Sequence, residues 1–230
     1  MAIGWQSAEL VEVRPETPRA TTFRLALSEP VRHVPGQHYV LRLTAPDGYT
    51  ASRSYSVASA PDDSGCIELT VERLADGEVS TFLHDQARPG DRFELRGPIG
   101  GWFVWDGDTP ALLVGGGSGV VPLMSMLRHA RNLGRSDLLR LVVSVRRPED
   151  LFYRDEILGP TTTVLTTRAP WPGSDRSVGH LRADDLLPVP DGTTVYVCGS
   201  SGFADAATAL LTAGGVDPAA IRVERFGATG

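Results

Sequence analysis

The chain has 230 residues, 41% of them hydrophobic, which is enough for one large or two small packed domains and too apolar for wholesale disorder. A formal net charge of -6 argues against a nucleic-acid partner. The two cysteines, Cys66 and Cys198, are too few for a four-cysteine cluster or a zinc ribbon, and no run of residues is apolar enough to suggest a membrane span.

The first half reads as β structure. Glu9–Arg14 and Thr21–Leu27 alternate or carry β-branched residues between proline-rich turns. Pro35-Gly36 marks a turn, and Tyr39–Leu43 forms the next strand. In Cys66–Arg73, Ile67, Leu69 and Val71 alternate with Glu68, Thr70 and Glu72, so one face is buried and the other wet. Asp76-Gly77 is a turn into a short helix over Val79–Gln86, and Pro89-Gly90-Asp91 turns into a strand at Arg92–Arg96. Short strands at this spacing suggest a small barrel or sandwich.

The second half differs. Ala111–Val114, Leu138–Val145, Thr162–Thr167 and Thr194–Cys198 are nearly continuous apolar or β-branched runs, the pattern of strands buried on both faces. Between them, Val120, Leu123, Met124, Leu127 and Ala130 share one helical face, as do Phe203, Ala206, Ala207, Leu210 and Leu211. Alternating strand and helix make this half a doubly wound α/β domain. The style changes within Gly97–Thr109, which places a domain boundary near 105/106.

Several clusters can carry chemistry. Ala111–Val114 runs into Gly115-Gly116-Gly117-Ser118-Gly119, a strand, tight turn and helix start suited to phosphate, although Pro122 stands where the last glycine of the dinucleotide fingerprint would fall. The other reading is a packing turn without ligand. Gly77-Glu78-Val79-Ser80-Thr81 is a second glycine turn opening a helix, either a phosphate cradle or an N-cap. Arg53-Ser54-Tyr55-Ser56 offers a phosphate clamp, a stacking ring and a hydroxyl, or is an ordinary strand end. Arg146 and Arg147 follow the second strand of the α/β half, where an acid commonly grips the ribose of NAD and arginine suits the extra 2′-phosphate of NADP. Thr167-Arg168 and Arg176 lie near the same crevice. Cys198-Gly199 ends a strand at the ligand-binding edge, and Glu224-Arg225-Phe226 is read as following the last strand. His33, His38, His84, His129 and His180 show no metal-ligand spacing, so no metal site is expected. Met1–Val13 contains no secretory apolar region, which with the two thiols points to a cytoplasmic setting.

In this order the motifs resemble the ferredoxin–NADP reductase superfamily from about Pro35 to Phe226, particularly bacterial single-chain members without an iron–sulfur domain. The resemblance implies a six-stranded antiparallel flavin-binding barrel followed by a doubly wound parallel-sheet nucleotide domain. It implies FAD, with FMN as the alternative, and NADPH as co-substrate, with NADH as the alternative. Arg53 would meet the flavin phosphates, Tyr55 would stack on the ring, and Ser56 would hydrogen-bond near N5. Val71 and Arg73 would line the flavin site, with Gly77, Val79, Ser80 and Thr81 around the pyrophosphate. Gly116, Gly117, Ser118 and Gly119 would face the nucleotide pyrophosphate, and Thr167, Arg168 and Arg176 the 2′-phosphate. Cys198 and Glu224 would frame the nicotinamide, with Phe226 near the flavin. Two departures stand out: Ser200 replaces the usual proline after Cys-Gly, and Phe226 with the tail Ala228-Thr229-Gly230 replaces a terminal tyrosine.

The implied activity is hydride transfer from NADPH to flavin, then electron delivery to a separate ferredoxin or oxygenase component. Its rivals are an NAD(P)H:flavin reductase, a non-catalytic electron-transfer subunit and a nucleotide-sensing module.

Overall fold

The computed structural model describes residues 4–226; the tail Ala228-Thr229-Gly230 lies outside them. Two sheets divide the chain. The first contains β1 (Gln6–Thr17), β2 (Ala20–Leu27), β3 (His38–Thr44), β4 (Thr50–Ser56), β5 (Cys66–Glu72) and β6 (Arg92–Ile99), in the order β4-β3-β6-β1-β2-β5. All of its pairings are antiparallel. The isolated antiparallel bridge between Val57 and Leu69 brings the far edges together. Leu10, Phe23, Leu25, Leu41, Leu69 and Leu95 fill the interior, and α1 (Glu78–Asp85) covers it with Val79 and Leu83.

The second sheet is parallel: β7 (Ala111–Gly116), β8 (Leu139–Val145), β9 (Thr162–Thr166), β10 (Thr194–Ser200) and β11 (Ile221–Phe226), ordered β11-β10-β7-β8-β9. The helices are α2 (Val120–Leu133), the single turns α3 (Arg154–Ile157) and α4 (Ala183–Leu186), and α5 (Ser201–Ala213). Chain order reverses between β7 and β10, so their carboxyl ends flank the crevice where open α/β sheets bind ligands. No helix among the described residues is long and apolar enough to cross a membrane.

Three features depart from the sequence reading. Thr50–Ser56 is a full strand that alternation did not reveal; at the sheet edge only Ala51, Tyr55 and Ser56 withdraw from solvent. Glu224-Arg225-Phe226 does not follow the last strand but lies within β11, paired parallel to β10. Ile221 and Val223 pack into the core beside β10, while Arg222 turns to the other face, where it donates to the Val104 carbonyl at 2.7 Å. An edge strand needs only half its residues apolar, and that weak alternation was the available signal. Finally, α2 buries more than its expected face, because Val121, Pro122, Ser125 and Met126 are also enclosed. One side of α2 rests on the sheet and the other on the barrel: Ser125 Oγ donates to the Ser59 carbonyl at 2.7 Å and Arg128 to the Ala58 carbonyl at 3.1 Å.

Candidate functional site

On the barrel side, Gly77 begins α1 with extended backbone and no side chain caps the helix. The first-turn N–H groups therefore remain available, at the positive end of the dipole. A Cβ on Gly77 would lie 2.3 Å from Ser80 Oγ and 2.9 Å from Leu74 Cβ, so glycine is required for the turn to close. Ser80 Oγ donates to the Gly77 carbonyl at 3.1 Å, and Thr81 Oγ1 donates to the Leu74 carbonyl at 3.2 Å. These hydroxyls hold the turn's shape and leave backbone N–H groups to face outward. An open groove of about 430 Å³ runs from here along α1, lined by Asp76, Gly77, Glu78, Thr81, Phe82 and Gln86.

The strand end nearby carries the other barrel residues. Arg53 and Ser54 are exposed, Tyr55 is half-buried against the barrel core, and Ser56 is buried with no hydrogen bond from its Oγ to a described residue. Burial raises the Tyr55 phenol pKa, so the ring is neutral. Val71 and Val79 direct their side chains into the core; the Val71 backbone is paired with Thr21 of β2 and its carbonyl meets His84 Nε2 at 2.9 Å, so only Val79, in the first turn of α1, offers a backbone donor. Arg73 pairs with Asp85 at 2.8 Å on the surface.

On the sheet side the glycines have separate tasks. A Cβ on Gly119 would sit 2.1 Å from the Cys198 carbonyl oxygen, and one on Gly116 would strike the Phe203 ring at 2.6 Å. A Cβ on Gly199 would meet the same ring at 2.7 Å. These three let the turn after β7 lie directly on the end of β10 and the Phe203 ring of α5. Gly117 faces open space with φ +55, a left-handed conformation that glycine adopts without strain. No side chain caps this helix start either: a 3-10 turn over Gly117–Gly119 leads into α2 and takes up the Val120 N–H, so the donors left open are those of the turn itself. Ser200, where a proline was expected, caps α5 by accepting from Phe203 N at 3.4 Å. Phe203 was read only as a core face; its position against two crevice glycines has no signal in local sequence.

Strand register sets Cys198 beside both Glu224 and Gly115. Cys198 is buried, and burial, reinforced by the Glu224 charge, pushes its thiol up; it is a neutral packing group. Burial raises the Glu224 carboxyl to about 7. Phe226, opposite Ser200 in register, packs on the core beneath the crevice.

The arginines divide sharply. Arg146 and Arg168 are exposed at the sheet's carboxyl edge, and Arg168 N donates to the Arg146 carbonyl at 2.8 Å. Thr167 is half-buried beside them. Arg176, expected as a third phosphate ligand, is instead committed to the protein: Nε and Nη2 fork onto Asp185 at 2.7 and 2.6 Å, with further bonds to the Ser177 and His180 carbonyls. It closes its own loop.

The two sides share a wall. Ala58, just beyond β4, belongs to the same buried cluster as Val120 and Val121 at the start of α2. The Tyr55-Ser56 strand end and the glycine turn thus approach one joint from opposite domains.

Comparison with known proteins agrees with this architecture. The oxidoreductase FAD-binding domain family matches residues 7–104, and the oxidoreductase NAD-binding domain family matches residues 113–209. The reductase component of propane 2-monooxygenase from Rhodococcus jostii is 31% identical over 233 residues, covering 94% of this chain and 62% of that protein. Ferredoxin–NADP reductase B from Sorangium cellulosum is 40% identical over 154 residues, 65% of this chain and 62% of that protein. Among solved structures, the FAD/NAD-binding domain of nitric oxide dioxygenase from Vibrio cholerae superposes with TM-score 0.85 at 23% identity, covering 96% of this chain and 98% of that one. With both family models matched in order and the barrel joined to its parallel sheet, the chain belongs to the oxidoreductases that couple an FAD-binding domain to an NAD-binding domain.

Proposed function

We propose that this chain takes a hydride from NADPH and passes electrons through bound FAD to a separate acceptor protein, an oxygenase component or a ferredoxin. The observation that carries the reading is the pair of uncapped, glycine-led helix starts, one on each domain, flanking one joint. The residues present suit both ligands. The start of α1 and its groove would hold the FAD pyrophosphate, with Arg53 adding charge, Tyr55 stacking and Ser56 offering its unclaimed hydroxyl. Gly117, Ser118 and the start of α2 would take the nucleotide pyrophosphate. FAD, when bound, supplies the two-electron acceptor that can release electrons singly. The protein contributes placement, since reacting atoms must meet at about 3–3.5 Å. Cys198 and Glu224 would flank the nicotinamide. The domain division at 105/106 and a cytoplasmic setting belong to the same reading.

The Rhodococcus relative is named as a monooxygenase reductase component, which supports a protein acceptor. Purified protein is expected to be yellow, or to become so with FAD, and to bleach anaerobically with NADPH. A protein that stays colourless after FAD addition would defeat the proposal.

The nucleotide choice rests on Arg146 and Arg168, two exposed arginines whose backbones are joined by one hydrogen bond. Guanidinium binds phosphate bidentately. Arg168→Ala is expected to raise KM for NADPH about tenfold and leave KM for NADH nearly unchanged, as a lost charged hydrogen bond of about 1.5 kcal/mol implies. Equal effects in steady-state assays would mean that the 2′-phosphate is read elsewhere.

A further inference from the structure

Among the described residues, the loop after β8 hydrogen-bonds to the barrel at Tyr153. Its hydroxyl donates to Thr70 Oγ1 at 2.5 Å, and its backbone N–H donates to Glu16 Oε2 at 3.4 Å. Thr70 Oγ1 lies 2.7 Å from Thr22 Oγ1, which donates to Glu16 Oε1 at 2.7 Å. The chain of hydroxyls therefore returns to the carboxylate that holds the tyrosine backbone. Tyr153, Thr70 and Thr22 are all buried. Arg128 stands over the tyrosine ring at 5.3 Å and forks onto Glu156, while its Nη1 reaches Glu68 on β5 at 2.7 Å.

Two further facts show that this contact is specified. Tyr153 adopts φ +53, a backbone conformation that a bulky residue keeps only where its surroundings over-determine it. A buried polar network with its partners satisfied also selects one arrangement, whereas an apolar contact could slide. The position matters because the same loop begins at Arg146, which is hydrogen-bonded to Arg168. Tyr153 thus refers the arginine pair on the sheet to three strands of the barrel.

We infer that Tyr153 is a positioning residue for hydride transfer: its bond to Thr70 fixes the span between the arginine grip on the 2′-phosphate and the flavin-binding barrel. This rests on the proposed reading of Arg146 and Arg168. A nucleotide held at its phosphate end by a displaced grip presents its other end off line. A nucleotide without the 2′-phosphate does not use the grip and is spared.

The test is anaerobic rapid mixing of the FAD-loaded full chain with saturating NADPH or NADH, comparing wild type with Tyr153→Phe. The variant keeps the ring and removes the donor. Flavin reduction by NADPH is expected to slow about tenfold, with bound FAD retained and the NADH rate nearly unchanged, since displacement by a fraction of an ångström suffices for such a loss. Thr70→Val removes the acceptor at similar volume and is expected to reproduce the pattern, which keeps the test open if Tyr153→Phe folds poorly. Equal slowing with both nucleotides, or no slowing with NADPH in either variant, overturns the inference. Arg168→Ala separately decides whether the grip itself exists.

Discussion

Gly119→Ala is expected to lose about 3 kcal/mol of stability and most of the protein's productive use of NADPH, at the upper end for an overpacked site. The new methyl would stand 2.1 Å from the Cys198 carbonyl oxygen and 2.7 Å from Gly199 N. Both neighbours are backbone, fixed by pairing of β10 with β7 and β11, so neither can rotate aside. The start of α2 must move off the end of β10, and the crevice opens where the nicotinamide would lie. Gly117→Ala is the comparison for stability alone: its Cβ meets nothing, and the left-handed φ of +55 costs roughly 1–2 kcal/mol. Denaturant unfolding and stopped-flow reduction measure the two effects. Wild-type stability in Gly119→Ala would show that the turns are not packed as described.

Glu224→Gln is expected to raise stability above neutral pH and to remove an inflection from the pH profile of flavin reduction. Burial raises this carboxyl from an ordinary 4.5 to about 7, so the folded protein holds the proton more tightly than the unfolded chain. Stability is then lost as pH rises from about 4.5 through 7, by on the order of 3 kcal/mol in all, because ionisation forces a charge into a half-dry site. Glutamine has no proton to lose. The variant should melt like wild type near pH 5 and above it near pH 8, by a margin that grows between these values. Flavin reduction by wild type should show an inflection near pH 7 that the variant lacks. A stability difference independent of pH would rule out titration of Glu224 in the folded protein.

These expectations draw on different levels of the molecule. The barrel strands of the first half were legible because Ile67, Leu69 and Val71 alternate with polar residues. The parallel sheet was legible because Leu112, Val114, Val142 and Val197 belong to runs with no wet face. The glycine turn after β7 was visible as a turn, but not the assignment of each glycine. Gly116 and Gly119 are forced by Phe203 and Cys198, residues brought there by a strand over 70 positions later. The Arg176 clamp on Asp185 was hidden for the same reason: an arginine near a crevice looks alike whether free or paired.

Sequence alone determined the succession of a barrel and a doubly wound sheet, and the two glycine turns that lead their helices, because period, apolar run length and turn chemistry are local properties. Only the tertiary structure decided which arginines remain free, how far the Glu224 carboxyl is lifted, and that Tyr153 joins the domains across 83 residues of chain to Thr70. Those depend on who the neighbours are, and neighbours are chosen by packing between distant segments, which no window of residues encodes.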